Sequence, residues 1–415
     1  MEHLRIDREQ SAARIGRDVE TLGGAGYTRS GEAIRRYAYT PEYARTVAYF
    51  TEALGELGFT VEQDPVGTLV ARNRPAGEPA FGVGSHCDSN RNGGKWDGTL
   101  GVVLALEVCR LNAEHGLGLP LQVVAFLEEE GSGFGQMLLG SRIMAQSVTE
   151  QQLRESIREL NTGRSFWDTA LAAGYEPARW RESARILDGL SGWIEPHIEQ
   201  ARVLQDTGNR VGIVNAIAGY VHADVHVRGR DDHAGATPMD FRLDPTTVLA
   251  ECVLELERLA RAAGRSTVGT VGEIEVQPSL INAIARGVRF SLDIRGPQDD
   301  AYLGVFHAIS AFAHERAAAR GMTVEVVERQ RQAATPMDAR VVAALEAAAG
   351  ATGEPALTMH SGAAHDTMCV APTVPSAMVF VPCKDGISHS PAEDAKPEDA
   401  AIAAETILNA IRALV

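Results

Sequence analysis

The sequence is poor in cysteine, in basic residues and in long apolar runs, and each shortage excludes a class of protein. Its five cysteines are scattered and form no C-x-x-C pair, so we expect no disulfide scaffold. Lysine and arginine total 39 against 55 aspartates and glutamates, and the net charge of −16 argues against nucleic acid or an anionic membrane as partner. No apolar stretch approaches membrane-spanning length, and the charged N-terminal segment MEHLRIDREQ lacks a signal-peptide core. We therefore expect a cytoplasmic protein.

What remains is an ordinary globular composition in a long chain. Hydrophobic residues make up 45% of the sequence and charged residues 23%. A chain of 415 residues exceeds what one compact core usually accommodates, so two domains are expected.

A histidine and two aspartates follow a strongly apolar segment. The segment ending at Gly84 is typical of a buried strand, and the following S-H-C-D places His86 and Asp88 at its carboxyl end. Asp97 precedes a helix predicted over 98–111. Open α/β sheets usually place their chemistry at such strand ends, and a carboxylate as short as Asp97 can be shared by two cations. These residues predict half of a two-metal site.

Three glutamates and two further histidines supply the other half. The apolar run 122–127 is followed by glutamates at 128–130, and burying three carboxylates against a strand is costly unless a cation offsets their charge. His197, in W-I-E-P-H-I-E-Q, and His389, in G-I-S-H-S-P, complete a mixed nitrogen and oxygen set that suits zinc, manganese or cobalt. The sequence contains no phosphate loop, nucleotide fingerprint or Ser-His-Asp triad that would favour another chemistry.

The motifs, taken together, resemble the hydantoinase/carbamoylase family of amidohydrolases, within the clan of di-metal aminoacylases and exopeptidases. That family includes N-carbamoyl-L-amino-acid hydrolases, allantoate amidohydrolases and β-ureidopropionases. The matching segments run in the family's order across almost the whole chain. They are G-S-H-C-D-S at 84–89, G-G-K-W-D-G at 93–98, E-E-G-S-G-F at 129–134, H-I-E-Q at 197–200, H-A-G-A-T-P-M at 233–239, N-A-I at 282–284, D-I-R-G-P at 293–297, S-G-A-A-H-D at 361–366 and F-V-P-C-K-D-G-I-S-H at 380–389.

The resemblance implies two divalent metal ions per subunit, zinc or else manganese, cobalt or nickel. The implied ligands are His86 and His197 for one ion, Glu130 and His389 for the other, and Asp97 as the bridge between them. Glu129 would be the general base, taking a proton from the attacking water and passing it to the departing nitrogen. Asp88 would orient the imidazole of His86. Glu128 is expected to face solvent or a neighbouring loop.

A second domain is predicted by pattern between residues 217 and 330. The predicted elements are strands over 219–229, 267–276, 288–294 and 323–327, and helices over 246–263 and 301–320. The order β-α-β-β-α-β is that of a ferredoxin-like unit. Since ligand residues lie on both sides of this insert, the catalytic domain is predicted to be discontinuous, over 1–216 and 331–415.

The predicted fold is therefore α/β, with a mixed-sheet di-metal hydrolase domain and an inserted ferredoxin-like α+β domain. In the resembled family the insert is the lid and the dimerisation domain, which implies a homodimer.

The resemblance also implies which residues bind the substrate. They are Gln200, His233, Asn282, Arg295, Ser361 and Gly362. Arg295 matches the family arginine that grips the substrate carboxylate, to which a planar guanidinium can donate two parallel hydrogen bonds. His233 would also be catalytic, stabilising the developing oxyanion from its own subunit or from the partner subunit.

Three motifs depart from the family pattern. Gly133 replaces an arginine, Ala201 and Arg202 replace Gly-Pro, and Cys383 replaces a serine. None removes a ligand or the base, but all bear on the choice of substrate, and Gly133 is expected to open space for a bulky or apolar side chain.

We expect hydrolysis of an N-carbamoyl-L-amino acid to the amino acid, ammonia and carbon dioxide. The alternatives are an allantoate amidohydrolase or β-ureidopropionase, and then an aminoacylase or dipeptidase of the same clan. A non-catalytic ligand-binding relative is the alternative from another class, and the intact base at Glu129 argues against it.

Overall fold

The computed structural model describes residues 2–29 and 31–415, and the chain divides into two compact units. The first unit comprises Met1–Asn215, Met337–Met359 and Ala364–Val415, and the second comprises Ala216–Pro336 and His360–Ala363. The boundary predicted at 330/331 would cut through a strand, and the second unit instead continues to Pro336.

Strands and helices alternate over most of the chain. The strands are β1 (Thr60–Gln63), β2 (Leu69–Arg72), β3 (Ala80–His86), β4 (Leu121–Phe126), β5 (Leu190–Ile198), β6 (Val211–Ile217), β7 (Gly219–Arg228), β8 (Val268–Thr270), β9 (Ile274–Gln277), β10 (Gly287–Gly296), β11 (Thr323–Gln332), β12 (Thr335–Pro336), β13 (Ala356–Ser361) and β14 (Ser376–Val381). The α-helices are α1 (Arg8–Leu22), α2 (Pro41–Glu56), α3 (Thr99–Glu114), α4 (Leu139–Met144), α5 (Phe166–Ala172), α6 (Val203–Thr207), α7 (Pro245–Ala262), α8 (Asp299–Ala319), α9 (Ala339–Thr352), α10 (Thr367–Val370) and α11 (Pro397–Leu414).

The first unit is built on a mixed sheet in the order β1-β2-β4-β3-β5-β14-β6. The central strands β4, β3, β5 and β14 are parallel, and the outer strands pair antiparallel. Every residue of β3, β4 and β14 is buried, as expected for strands covered on both faces. The mixed α/β fold predicted from the sequence is confirmed.

Apolar helices account for that burial. On one face α3 and α11 pack together, and α1 and α9 pack against α11. Both α3 and α11 are buried over nearly their whole length, because they lie between the sheet and other helices. Another core cluster joins residues of β2, β4 and β5, including Phe126 and Trp193, to Met144 of α4 and Val370 of α10.

The second unit is an antiparallel sheet in the order β11-β7-β10-β8, with β9 also paired to β10. Helices α7 and α8 pack on it over a shared apolar core that includes Val225, Phe290, Leu292 and Ile309. Burial alternates along β10 at every second residue, as its sequence pattern predicts. Helix α7 begins after Asp244, whose side chain accepts a hydrogen bond from the amide of Thr246.

Two predicted strands of the second unit differ from those observed. The strand predicted over 267–276 is two short strands, interrupted where the amide of Glu273 donates to the Ser291 hydroxyl. Strand β11 extends five residues beyond the predicted end at Val327. Its last residues are exposed and polar, so no apolar alternation marks them in the sequence. Within the described ranges, no helix has the length and apolar character needed to cross a membrane.

Candidate active site

Adjacent parallel strands bring the predicted ligands to one edge of the first unit's sheet. His86 ends β3, His197 lies near the end of β5, and Glu129 and Glu130 follow β4. Since β4, β3 and β5 are neighbours and parallel, their carboxyl ends lie side by side. His389 comes from the loop after β14, the next strand in the sheet.

One group of potential ligand atoms consists of two imidazoles and a carboxylate. Asp97 Oδ1 lies 3.1 Å from His197 Nε2 and 3.8 Å from His86 Nε2, and the two Nε2 atoms are 3.4 Å apart. All three side chains are buried. Gly98 adopts φ 62°, and a Cβ atom there would lie 2.2 Å from the His86 ring, so the loop approaches the imidazole as only glycine permits.

A second group shares the same carboxylate. Asp97 Oδ2 lies 3.3 Å from His389 Nε2, which is 3.4 Å from Glu130 Oε1. Within each group the potential ligand atoms lie within 4.8 Å of one another, close enough to surround a cation. Asp97 therefore presents one oxygen to each group, which is the arrangement expected of a bridging carboxylate.

A buried carboxylate oxygen of this cluster lacks a hydrogen-bond partner, as expected where a metal ion would bind. Glu130 Oε1 is buried and has no hydrogen-bond partner, although buried polar groups are normally paired. Neutral imidazole and carboxylate oxygen are the donors that suit zinc and similar divalent ions. The residues present therefore fit a pair of divalent cations.

The pKa shifts of the cluster reflect strong coupling between its charges. Burial would raise the pKa of Asp97, but hydrogen bonds from His197 and His389 hold it well below its ordinary value. Burial, reinforced by the charge of Asp97, raises the pKa of Glu130 to about 7. The hydrogen bond to Asp97 raises the pKa of His389 to about 9. Ligand groups thus hold protons that a cation would displace.

Glu129 lies beside the cluster without belonging to either group. Its Oε2 is 3.6 Å from His86 Nε2, and burial together with the charge of Glu130 raises its pKa well above the ordinary value. Asp88 accepts hydrogen bonds from the amides of Glu129 and Glu130, both at 3.1 Å. Asp88 Oδ1 also lies 3.4 Å from His86 Nδ1, so one buried carboxylate contacts three parts of the cluster.

The alternative that Glu128 faces solvent is wrong, because this side chain is fully buried. Its Oε1 accepts hydrogen bonds from the amides of Gly133 and Phe134, and it therefore faces the neighbouring loop. A Cβ atom at Gly133 would lie 2.8 Å from Glu128 Oε2. The space expected beside Gly133 is thus occupied by a carboxylate, and the argument for a bulky or apolar substrate loses its support.

Gln200 joins the cluster through its amide nitrogen. Its Nε2 lies 3.1 Å from Asp97 Oδ2, 3.2 Å from Ser388 Oγ and 3.4 Å from His389 Nε2. Gln200 and His389 both have positive φ, at 59° and 55°, a conformation that non-glycine residues adopt rarely and often at functional sites.

Sequence reasoning missed three residues that contact the cluster. Glu393 accepts hydrogen bonds from the amides of Trp96 and Asp97, and Ser388 lies between Glu393 and Asp97. Asn90 Nδ2 lies 3.2 Å from Glu130 Oε2 and 3.3 Å from His389 Nδ1. Ser388 and Glu393 flank His389 in the chain, and this proximity is the signal that could have singled them out.

The remaining predicted residues belong to the second unit. The Nε and Nη2 atoms of Arg295 donate to the two oxygens of Asp293 at 2.8 and 2.9 Å, and Nη1 donates to the carbonyl of Gly362 at 3.2 Å. Ser361 exchanges hydrogen bonds with the backbone of Ala363 in the same turn.

Two further predicted residues lie in neighbouring loops of the second unit. The amide of Ala234 donates to the carbonyl of Asn282 at 3.0 Å, so the loops that carry His233 and Asn282 are joined. His233 Nδ1 accepts hydrogen bonds from the amides of Gly235 and Ala236. Its Nε2 is therefore the nitrogen that carries the proton in the neutral ring.

Comparisons with known proteins identify the family of the chain. The family model described as peptidase family M20/M25/M40 matches residues 82–413. The N-carbamoyl-L-amino acid amidohydrolase of Geobacillus stearothermophilus is 37% identical over 402 residues, covering 96% of this chain and 97% of that protein. The allantoate amidohydrolase of Escherichia coli K12 is 31% identical over 381 residues, covering 90% of each chain.

A solved structure gives the same result for the fold. A hydantoinase/carbamoylase family amidase from Burkholderia ambifaria superposes with a TM-score of 0.88 at 32% identity, over 100% of this chain and 98% of that one. The chain therefore belongs to peptidase family M20/M25/M40, among its hydantoinase/carbamoylase amidohydrolases.

Proposed function

We propose that this protein is a two-metal amidohydrolase that cleaves the ureido C–N bond of an N-carbamoyl-L-amino acid. The observation that carries the proposal is Asp97, which offers one oxygen to each of two ligand groups beside a glutamate that belongs to neither. His86 and His197 would hold one ion, Glu130 and His389 would hold the other, and Asp97 would be shared by both. The ions, zinc or else manganese, cobalt or nickel, would act as Lewis acids toward the carbonyl oxygen and the attacking water.

Glu129 is the group that moves the proton. Its carboxylate would take a proton from the attacking water and return it to the departing nitrogen, so that ammonia leaves and the remaining carbamate releases carbon dioxide and the free amino acid. Burial and the charge of Glu130 raise the pKa of Glu129, and two nearby cations would oppose that shift and favour the ionised carboxylate that accepts the proton. Asp88 would hold Glu129 in place by accepting the hydrogen bond from its backbone amide.

The second unit would bind and polarise the substrate. Arg295 donates hydrogen bonds from Nε and Nη2 to Asp293, which orients the guanidinium. The second N–H groups of Nη1 and Nη2 would then donate to the substrate carboxylate. With Nδ1 accepting backbone hydrogen bonds, His233 would donate from Nε2 to the oxyanion, in its own subunit or in the partner subunit of a homodimer.

Other polar groups would complete the binding of the substrate. Gln200 and Asn282 would hydrogen-bond the ureido group, together with the turn at Ser361 and Gly362. We also propose that the protein acts in the cytoplasm and that the second unit is both lid and dimer interface.

We propose an N-carbamoyl-L-amino acid as substrate, and not allantoate, because a relative that is 37% identical is named as an N-carbamoyl-L-amino acid amidohydrolase. An allantoate amidohydrolase is the second candidate, supported by the relative of that name at 31% identity.

Substrate turnover by metal-reconstituted protein tests the proposal. Ammonia and free amine would both be measured for N-carbamoyl L- and D-amino acids, N-carbamoyl-β-alanine, allantoate, and N-acetyl and dipeptide controls. We expect both products from an N-carbamoyl-L-amino acid and none after chelation. Turnover of allantoate alone would favour the second candidate, and amine release from the N-acetyl or dipeptide controls alone would contradict a ureido substrate.

Replacement of the base separates catalysis from binding. Glu129→Gln should lower kcat by 10²-fold or more while metal binding persists, since general acid–base catalysis contributes roughly 10²–10⁴-fold. Glu405→Gln is the matched control, because Glu405 is also buried but pairs with Arg8 and His3 outside the cluster. Unchanged kcat in Glu129→Gln would refute the assignment.

A further inference from the structure

Glu393 is a buried carboxylate directed at the backbone of Asp97. It is 3% exposed, and its Oε1 accepts hydrogen bonds from the amides of Trp96 and Asp97, both at 2.9 Å. One oxygen thus fixes two successive peptide groups, the second of which belongs to the residue shared by the two ligand groups.

The other oxygen of Glu393 reaches the side chain of Asp97 through a hydroxyl. Ser388 Oγ lies 3.3 Å from Glu393 Oε2 and 3.0 Å from Asp97 Oδ2. The amide nitrogen of Gln200 lies 3.2 Å from Ser388 Oγ, so the hydroxyl can accept this hydrogen bond while donating its proton to a carboxylate. The hydroxyl has a single proton and donates it to Asp97 or to Glu393, so Glu393 contacts Asp97 directly at the backbone and lies one hydroxyl away from its carboxylate.

The loop before Asp97 is shaped around this carboxylate. A Cβ atom at Gly94 would lie 2.4 Å from the Cβ and Oε1 atoms of Glu393, so a larger residue at 94 would displace the glutamate. A neutral acceptor could satisfy the two amides equally well, whereas a second carboxylate beside Asp97 adds a buried like charge. A glutamate in this place is best explained where nearby cations offset that charge.

We propose that Glu393 is a positioning residue that holds Asp97 in the geometry needed to bridge two cations. The inference rests on the proposed two-metal function and extends it beyond the ligands. Loss of a group that supports a metal ligand typically weakens metal binding or activity 10–100-fold. The effect of Glu393 is therefore expected in metal affinity, in the electronic environment of the ions and in kcat.

Three variants test this positioning. Glu393→Ala removes the acceptor of both amides, whereas Glu393→Gln retains an oxygen at the same place. Asp338→Ala is the matched control, because Asp338 Oδ1 also accepts hydrogen bonds from two successive amides, those of Arg340 and Val341, outside the cluster. Each variant would be titrated with Mn²⁺ and Co²⁺ in competition with a chelator, without substrate, and the visible spectrum of the cobalt form recorded.

We expect Glu393→Ala to bind the metals about 10–100-fold more weakly, with an altered cobalt spectrum. Glu393→Gln should recover most of this affinity, and Asp338→Ala should bind as the wild type does. Wild-type affinity and an unchanged spectrum in Glu393→Ala would overturn the inference, as would an equal loss in Asp338→Ala. If Glu393→Ala does not fold, Ser388→Ala tests the hydroxyl link, and wild-type affinity and spectrum there overturn the inference.

The outcome is separable from that of the proposed function. If the wild type binds two metal ions but hydrolyses no ureido acid, the proposed function fails and the positioning of Asp97 can still be measured. If the wild type hydrolyses the substrate and Glu393→Ala binds metal normally, only the positioning inference fails.

Discussion

Metal binding should release protons, and the number released should fall as the pH rises. Ligands bind metal in their deprotonated forms, so every ligand that carries a proton in the metal-free protein must lose it. The pKa of His389 is raised to about 9 and that of Glu130 to about 7. From these two groups alone we expect release of about two protons at pH 6, about 1.5 at pH 7 and about one at pH 8.

The same protons set the pH dependence of metal affinity. Each released proton changes log K by about one per pH unit, so the apparent affinity should rise roughly a thousandfold between pH 6 and pH 8. This is a lower bound because the pKa of His86 is also raised: burial opposes the shift, but Glu129 and Asp88 outweigh it. Metal affinity, and any stability that the metal confers, accordingly declines as the pH falls below about 9 and declines more steeply below about 7.

Calorimetric titration in buffers of different ionisation enthalpy measures the proton release directly. Chelator competition at pH 6, 7 and 8 gives the affinity. His314→Gln, on the exposed face of α8, is a control histidine that should change neither quantity. Release of fewer than one proton at pH 6, or an affinity independent of pH, would refute the assignment of His389 and Glu130 as ligands.

Three further predictions follow from the geometry. Gly98→Ala should weaken metal binding at least tenfold, because the added Cβ would meet the His86 ring. Gly116→Ala is the control: Gly116 has a similar φ of 60° and open space around it, so this variant should lose only about 1 kcal/mol of unfolding free energy. Equal metal affinities of the two variants in chelator competition would contradict this prediction. Arg295→Lys should raise KM for the ureido acid about tenfold, with a smaller change in kcat. Arg289→Lys, on the same face of β10, should leave KM unchanged. Equal KM values for the two variants in steady-state assays would count against the carboxylate contact. Cys87 should react slowly with a thiol reagent at pH 8, since burial raises its pKa to about 11, and rapid labelling of the folded protein at that position would show the thiol to be accessible.

The elements that position the site were largely predictable from the sequence. Apolar runs marked the central strands, and two-residue alternation marked β7 and β10, because burial imposes a regular period on such elements. Strand β11 was predicted too short because an exposed edge leaves no apolar period.

Within the site, local pattern indicated the candidate ligands and Asp88, but not the contacts of Glu128 and Glu393. His86, Asp97 and Glu130 stand in motifs of residues suited to metals, so the sequence alone is enough to indicate their chemistry. Glu128 and Glu393 are each just another acidic residue in the sequence. Their burial and their amide contacts arise only when segments distant in the chain meet, or when a loop folds back on its strand.

The sequence by itself determined the residue types, the order of the strands and helices, and the membership of the family. Only the tertiary structure decided which oxygen of Asp97 faces which group and that Glu393 accepts a hydrogen bond from the backbone amide of Asp97. The physical reason is that hydrogen bonds and charge coupling act over a few ångströms in space. Residues 97 and 393 come within that distance only in the folded chain.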